Sequence, residues 1–373
     1  MKLLEQLVTT PGIPGREHRL RDLIRKETKG LFDDVREDAM GNLICVRRPR
    51  AQGARAGHLK GAPPGARKGA EPTKDSGPTK VMLAAHMDQI GFMVKHIDDK
   101  GYIRVNAVGG FDTRNLFARL VTICPDPRDP KQDITGVMNP GGKPIHIATE
   151  EEKKKIPEVG EFTIDLGIPG DEVKKKVKIG DMVVLQAPMT RIGDTVVSQC
   201  LDNRIACWIA IRSIQKLAEE KASHACEIHC VFTVQEEVGL RGAGTSAYGV
   251  KPNIGIGIDT TLCCDTPGVP EDMRVTKQGD GAGITCMDSS VINDYDLIEE
   301  FEAVAKKHKI KHQRSILPRG GTDSGAIQRA AAGVRTLTFS CPTRYIHTVT
   351  EMIHLDDLHA CRDLLAAWLA QVK

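Results

Sequence analysis

The rhythm of apolar and polar positions changes three times along the chain. Near the N-terminus, Leu20, Leu23 and Ile24 recur at helical spacing. Helices are therefore expected over Met1–Val8 and Glu17–Thr28, split by the sequence PGIPG. Gly41–Arg48 reads as a strand after a turn. Lys80–Ala85 is a short apolar run that ends in His86-Met87-Asp88, which suits a buried strand with polar groups at its C-terminal end. Gly91–Val94 begins a further strand. From Ile97 to Ile192 short apolar runs are punctuated by Gly and Pro at close spacing, the pattern of an all-β module. After Gly193 strands and helices alternate. Helices are expected over Asn203–Ala222, Asp296–His308 and Asp356–Ala370, with a short one over Gly325–Ala331. Strands are expected over Glu227–Gln235, Asn253–Ile258, Gly283–Cys286 and Val334–Phe339. Such alternation implies a mainly parallel sheet covered on both faces. The expected architecture is α/β, a mixed, mainly parallel sheet sandwiched by helices. Residues 1–96 and 193–373 supply it, and an all-β module over 97–192 interrupts it.

Composition narrows the picture. The 373 residues are 40% apolar and 27% charged, which is ordinary for a globular chain with room for one large domain or two. No apolar run approaches the roughly 20 residues of a membrane span, so no membrane is expected. Glu5 interrupts the leading apolar stretch and makes it a poor signal peptide. Eleven cysteines without a CxxC motif fit reduced thiols in a cytoplasmic protein. The net charge of +3 has a local origin. Residues 50–80 hold seven basic and two acidic side chains, with one Leu and no Val, Ile or aromatic residue. That segment is expected to be a flexible surface insertion, because it cannot bury enough surface to offset its ordering entropy. The rest of the chain is slightly acidic, so no nucleic-acid partner is expected. The runs EEEKKK (150–155) and KKK (174–176) are expected to be solvated faces.

The chemistry gathers where apolar runs stop. Five clusters lie at the end of a strand or the head of a helix: His86-Met87-Asp88, Leu201-Asp202-Asn203-Arg204, Gln235-Glu236-Glu237-Val238-Gly239, Ile258-Asp259-Thr260 and Tyr345-Ile346-His347-Thr348. Open α/β sheets bind ligands at the carboxyl ends of their strands. Two histidines and several carboxylates meeting there form a nitrogen–oxygen set suited to Zn, Co or Mn. Each cluster alone is common, and Asp202 is equally suited to cap the helix that it opens. Of two adjacent carboxylates at a strand end, one can ligate a metal while the other serves as a base.

Taken together and in order, these residues resemble the M42 metallo-aminopeptidases. These are relatives of glutamyl and leucyl aminopeptidases, some of them labelled cellulase M or endo-glucanase M. The resemblance rests on HMDQIGFMV (86–94), LDNR (201–204), QEEVGLRGA (235–243), DTT (259–261), GGTDSGA (320–326) and IHT (346–348), and it spans nearly the whole chain. Gln89 departs from it, standing where many members have Glu, and the 50–80 segment is longer than usual. The resemblance implies two divalent metal ions per subunit, Zn or Co with Mn as a third choice. His86 and Asp259 would hold one ion, Glu237 and His347 the other, and Asp202 would bridge them. Asp88 would orient the His86 ring, and Glu236 would be the general base. Gly320, Gly321, Thr322 and Asp323 would form a loop on the substrate side. The fold implied is zinc-peptidase-like, with a barrel-like dimerisation module and assembly into twelve-subunit shells. The activity implied is removal of N-terminal residues from short peptides, with Glu, Leu and Lys preferences all found on this scaffold. The alternatives are a related metal-dependent hydrolase specific for N-acyl groups or acidic residues, a glucanase, and a binding protein that has kept the shell of ligands. A glucanase would need paired acids without metal, which two histidines and three carboxylates argue against.

Overall fold

The structure is a computed structural model that describes residues 1–50 and 77–372. The segment expected to be a flexible insertion, 50–80, falls over 51–76 outside the described residues. Strand Lys80–His86 sets the plan of the central layer. Val81, Leu83 and Ala85 face one core and Met82 and Ala84 the other, as the two-residue period of a strand requires. Both faces are buried, which is why this strand reads as a continuous apolar run.

Among the described residues eleven strands form the central sheet. Its main path runs Asp34–Glu37, Leu43–Arg47, Glu227–Thr233, Lys80–His86, Ile254–Leu262, Arg335–Arg344, Glu351–His354, Thr195–Ser198 and Thr190–Ile192. Ala282–Met287 pairs with Arg335–Arg344, and His312–Ile316 pairs with Ala282–Met287. The four strands from Glu227–Thr233 to Arg335–Arg344 are parallel neighbours, and the main path continues antiparallel on both sides. Helices Leu201–Glu219, Tyr295–His308 and Leu355–Leu369 cover one face with the two N-terminal helices, Lys2–Thr9 and His18–Glu27. Arg241–Val250 and Asp323–Gln328 cover the other. This is the α/β sandwich expected from the alternation. Helix Arg241–Val250 was not anticipated, because its sequence RGAGTSAYGV holds three glycines. Strands Thr195–Ser198, His312–Ile316 and Glu351–His354 were not anticipated either, being short and rich in polar residues.

Among the described residues six strands close into a barrel in the order Gly91–Ile97, Ile103–Val108, Phe162–Asp165, Ile134–Pro140, Arg119–Cys124 and Met182–Leu185. Closure leaves no sheet edge. Phe92, Val94, Ile103, Val121, Ile123 and Val183 belong to its core. The barrel begins and ends earlier than the expected span 97–192. Gly91–Ile97 is its first strand, and Thr190–Ile192 goes to the central sheet. The junction is tightly packed. A Cβ on Gly91 would lie 2.4 Å from a methyl carbon of Ile13 and 2.8 Å from the Val183 carbonyl, so only glycine fits where the chain crosses over. Arg19 of helix His18–Glu27 ties the two bodies together. Its guanidinium donates to both Asp133 oxygens at 2.7 and 2.8 Å and to the Asp126 carbonyl at 2.7 Å.

Local details refine three further expectations. The run EEEKKK is exposed, and Glu150–Lys154 forms a short helix with a capping box between Thr149 and Glu152. The last helix is capped by the His354 side chain rather than by its two aspartates. Asp357 instead accepts the N–H groups of Gly279 and Gly281, each at 2.8 Å. All eleven cysteines are free thiols. Among the described residues no helix is long and apolar enough to cross a membrane.

Candidate metal centre

The carboxyl ends of the parallel strands converge on one cleft. His86 is the last residue of its strand and is buried. Glu236 and Glu237 follow Glu227–Thr233 after Gln235, whose φ of +56° turns the chain. Asp259 lies inside Ile254–Leu262. Asp202 stands at the head of helix Leu201–Glu219 with non-helical backbone angles, joined to Asn203 by a cis peptide bond. His347 follows strand Arg335–Arg344 in a turn, with φ +64°.

These side chains come together as two lobes around Asp202. His86 Nε2 is 3.3 Å from Asp202 Oδ1, 3.7 Å from Glu236 Oε2 and 3.9 Å from Asp259 Oδ1. His347 Nε2 is 3.6 Å from Asp202 Oδ2 and 3.4 Å from Glu237 Oε2. Asp202 thus presents one oxygen to each histidine, so it is not spent as a helix cap. Two triads, His86–Glu236–Asp259 and His86–Asp202–Glu237, each offer ligand atoms within 4.8 Å of one another.

The electrostatics of the cluster favour a cation. Burial first, and then neighbouring carboxylates, push Glu236, Glu237 and Asp259 well above the usual carboxylate range against the pull of His86. Burial would raise Asp202 as well, but the contact with His86 and the charges of both histidines hold it below. Burial works against a charged His86, yet Glu236, Asp202 and Asp88 outweigh it and raise its pKa well above the ordinary value. Among the described residues no lysine or arginine pairs with Asp202, Glu236, Glu237 or Asp259. Glu237 Oε1 is buried without a hydrogen-bond partner. Buried like charges and an orphaned carboxylate oxygen are what a nitrogen–oxygen metal site shows without its ions, so the residues present fit divalent metals.

Three buried carboxylates stand behind the cluster and grip its backbone. Asp88 accepts the N–H groups of Glu236 and Glu237 at 3.1 and 3.0 Å. It was expected to orient the His86 ring, but its carboxylate is 3.6 Å from Nδ1 and its main-chain carbonyl is nearer, at 3.2 Å. Glu17 accepts the Gln235 N–H at 3.2 Å. Burial, with Asp88 nearby, lifts the Glu17 pKa to about 7. Glu351 accepts the Asp202 N–H at 2.9 Å and the His347 N–H at 2.8 Å. Neither Glu17 nor Glu351 was anticipated, since each is a single carboxylate outside any strand-end cluster.

The cleft has a volume of about 490 Å³. The proposed ligands line it together with Leu240, Leu262, Leu317, Arg319, Gly320, Gly321, Thr322 and Ile346. Asp323 was expected on the substrate side with Gly320, Gly321 and Thr322, but it lies behind the cluster. It is buried, opens helix Asp323–Gln328 and accepts the Thr233 hydroxyl at 2.5 Å. The departure at Gln89 has a structural partner: its side-chain amide oxygen accepts from the buried Arg204 at 3.0 Å.

Comparison with known proteins accords with this geometry. The family model described as M42 glutamyl aminopeptidase matches residues 66–364. The lysyl aminopeptidase of Pyrococcus furiosus is 30% identical over 379 residues, covering 100% of this chain and 97% of the relative. The solved aminopeptidase APDkam598 of Desulfurococcus kamchatkensis superposes with a TM-score of 0.86 at 30% identity, covering 99% of this chain and 94% of its own. The TET1 peptidase of Pyrococcus horikoshii, described as able to assemble into a tetrahedron or a large octahedral shell, has a TM-score of 0.81 at 29% identity. That alignment covers 99% of this chain and 98% of the other.

Proposed function

This chain belongs to the M42 peptidase family, and from that premise we propose that it is a dinuclear-metal aminopeptidase that removes N-terminal residues from short peptides. The observation that carries the reading is the convergence of His86, Asp202, Glu236, Glu237, Asp259 and His347 on one cleft. His86 and Asp259 would hold one cation and Glu237 and His347 the other, and Asp202 presents one oxygen towards each histidine. When bound, two divalent cations, Zn, Co or Mn, supply Lewis acidity and a water of lowered pKa.

The chain's own residues do the rest. Glu236 accepts the proton of the attacking water and returns it to the leaving amine. Asp88 fixes the backbone of Glu236, so the base keeps its place beside Glu237. The open backbone of Gly320 and Gly321 lets the substrate approach the cleft wall closely. The free N-terminal amine of a peptide would bind near one of the two cations, which favours cleavage from the N-terminus.

We further propose that the enzyme is cytoplasmic and that its barrel mediates self-association, ending in a twelve-subunit shell. Support comes from Phe117, Leu120, Val137, Ile145 and Ile147, large apolar side chains exposed within the barrel segment. The test is a panel of unblocked aminoacyl-anilides and their N-acetylated counterparts, run beside light scattering. Cleavage of the unblocked set alone, by a particle far above 40.7 kDa, is expected. Cleavage of only blocked substrates would sink the aminopeptidase reading, and a sharp monomer would sink the assembly.

A further inference from the structure

We infer that Glu351 is a positioning residue that sets one of the two metal positions, the one between His347 and Asp202. The inference rests on the dinuclear reading above. Strand Glu351–His354 pairs with Thr195–Ser198 in a register that places Glu351 opposite Ser198, four residues before Asp202. Glu351 follows His347 by four positions along the chain itself. Glu351 therefore sits where the two segments that carry these ligands cross.

Its carboxylate divides evenly between them. Oε2 accepts the Asp202 N–H at 2.9 Å and Oε1 accepts the His347 N–H at 2.8 Å. Neither N–H belongs to regular structure. Asp202 has non-helical angles, and His347 lies in the left-handed region, where a non-glycine residue needs external support. A buried N–H without an acceptor is costly, so these two hydrogen bonds hold both turns. Glu351 is itself 2% exposed and, among the described residues, makes no ion pair. A buried carboxylate beside Asp202 and Glu237 is a poor choice for packing alone. Its placement is explained by the fixed distance it imposes between Asp202 and His347, whose facing atoms are 3.6 Å apart. Asp88 supports the other side, where its main-chain carbonyl lies 3.2 Å from His86 Nδ1, and Asp259 lies inside a central strand, so losing Glu351 leaves the His86–Asp259 side supported.

The test uses the full-length enzyme, wild type beside Glu351→Gln and Glu351→Asp. Gln keeps the length but turns an amide donor towards one of the two N–H groups. Asp keeps the charge but shortens the reach. Each protein is dialysed against a weak chelator. Bound metal is counted, and the activation curve for Co or Zn is recorded with its kcat and KM. Loss of a partner that orients a metal ligand weakens affinity about 10–100-fold. The expected result is a fall from two metals per chain towards one in Glu351→Gln. Its activation midpoint should rise at least about tenfold, with kcat restored at high metal and KM nearly unchanged. Glu351→Asp, which can still accept both hydrogens if the backbone shifts, should lie between. Wild-type stoichiometry and midpoint in a folded Glu351→Gln protein would overturn the inference, as would equal loss of both metals. Wild-type protein that binds no metal would overturn the dinuclear reading instead.

Discussion

Along the barrel segment, Lys155 meets Glu161, and Lys174 meets Asp99 at 2.7 Å, all on open surface. At the ends of the sheet strands, Glu236, Asp259 and Glu351 are buried, and no lysine or arginine among the described residues neutralises them. Exposed pairs sit in water, are screened and add almost nothing to stability. Buried unpaired carboxylates oppose folding unless a ligand or a backbone grip compensates them. One chain thus uses charge in two ways, and the ends of the parallel strands gather buried carboxylates that folding alone does not favour. That contrast marks the cleft as the working part more firmly than any single motif does.

The contrast can be broken from its strong end first. Glu236→Gln should lower kcat by at least about 10²-fold, the contribution of a positioned acid–base group, while bound metal stays near wild type. Full activity in that variant would remove Glu236 as the base. The seam between the two bodies comes next. Arg19→Ala deletes a bidentate hydrogen bond to Asp133 from a guanidinium that is 8% exposed. It should destabilise the chain by about 1.5–3 kcal/mol in urea unfolding, and a loss near zero would mean that the two bodies are held by apolar contacts alone.

A paired carboxylate offers an intermediate case. Burial would raise Asp265, but the hydrogen bonds of Arg344, at 2.6 Å to each oxygen, hold it down at about 2 against an ordinary 3.8. An acid whose folded-state pKa is lowered adds stability above its unfolded value and loses it as the pH falls from about 4 towards 2. Arg344→Met should therefore be less stable than wild type at pH 7, and the gap should narrow through that window. A gap that is constant with pH would contradict the pairing. At the weak end, Lys155→Ala should leave the melting temperature unchanged within error. A clear drop would mean that the barrel's surface charges are not idle.

How much of this was legible in the sequence depends on the range of the interaction. His86, Glu236, Glu237 and Asp259 could be read because a buried parallel strand is a continuous apolar run, and polar residues at its end stand out. Strand Lys80–His86 and the turn after Thr233 carried that signal directly. Glu351 could not be read, since its meaning comes from pairing with Ser198, more than a hundred residues earlier. Glu17 is hidden for the same reason, as its partner is the Gln235 N–H. Asp323 was legible as part of a glycine-rich motif, yet the motif does not say which side chains face the cleft and which face Thr233. The barrel start escaped because Gly91–Val94 has the same apolar texture whether it joins the sheet or leaves it. Its pairing with Ile103–Val108 and with the distant Met182–Leu185 decides the matter.

The most direct test of the whole account is a titration of metal-free protein with Zn, Co or Mn, following bound metal and hydrolysis of an unblocked aminoacyl-anilide together. The account predicts no hydrolysis after chelation and its return with at least one of these ions, complete when two ions are bound per chain. Hydrolysis that survives complete removal of metal would contradict it.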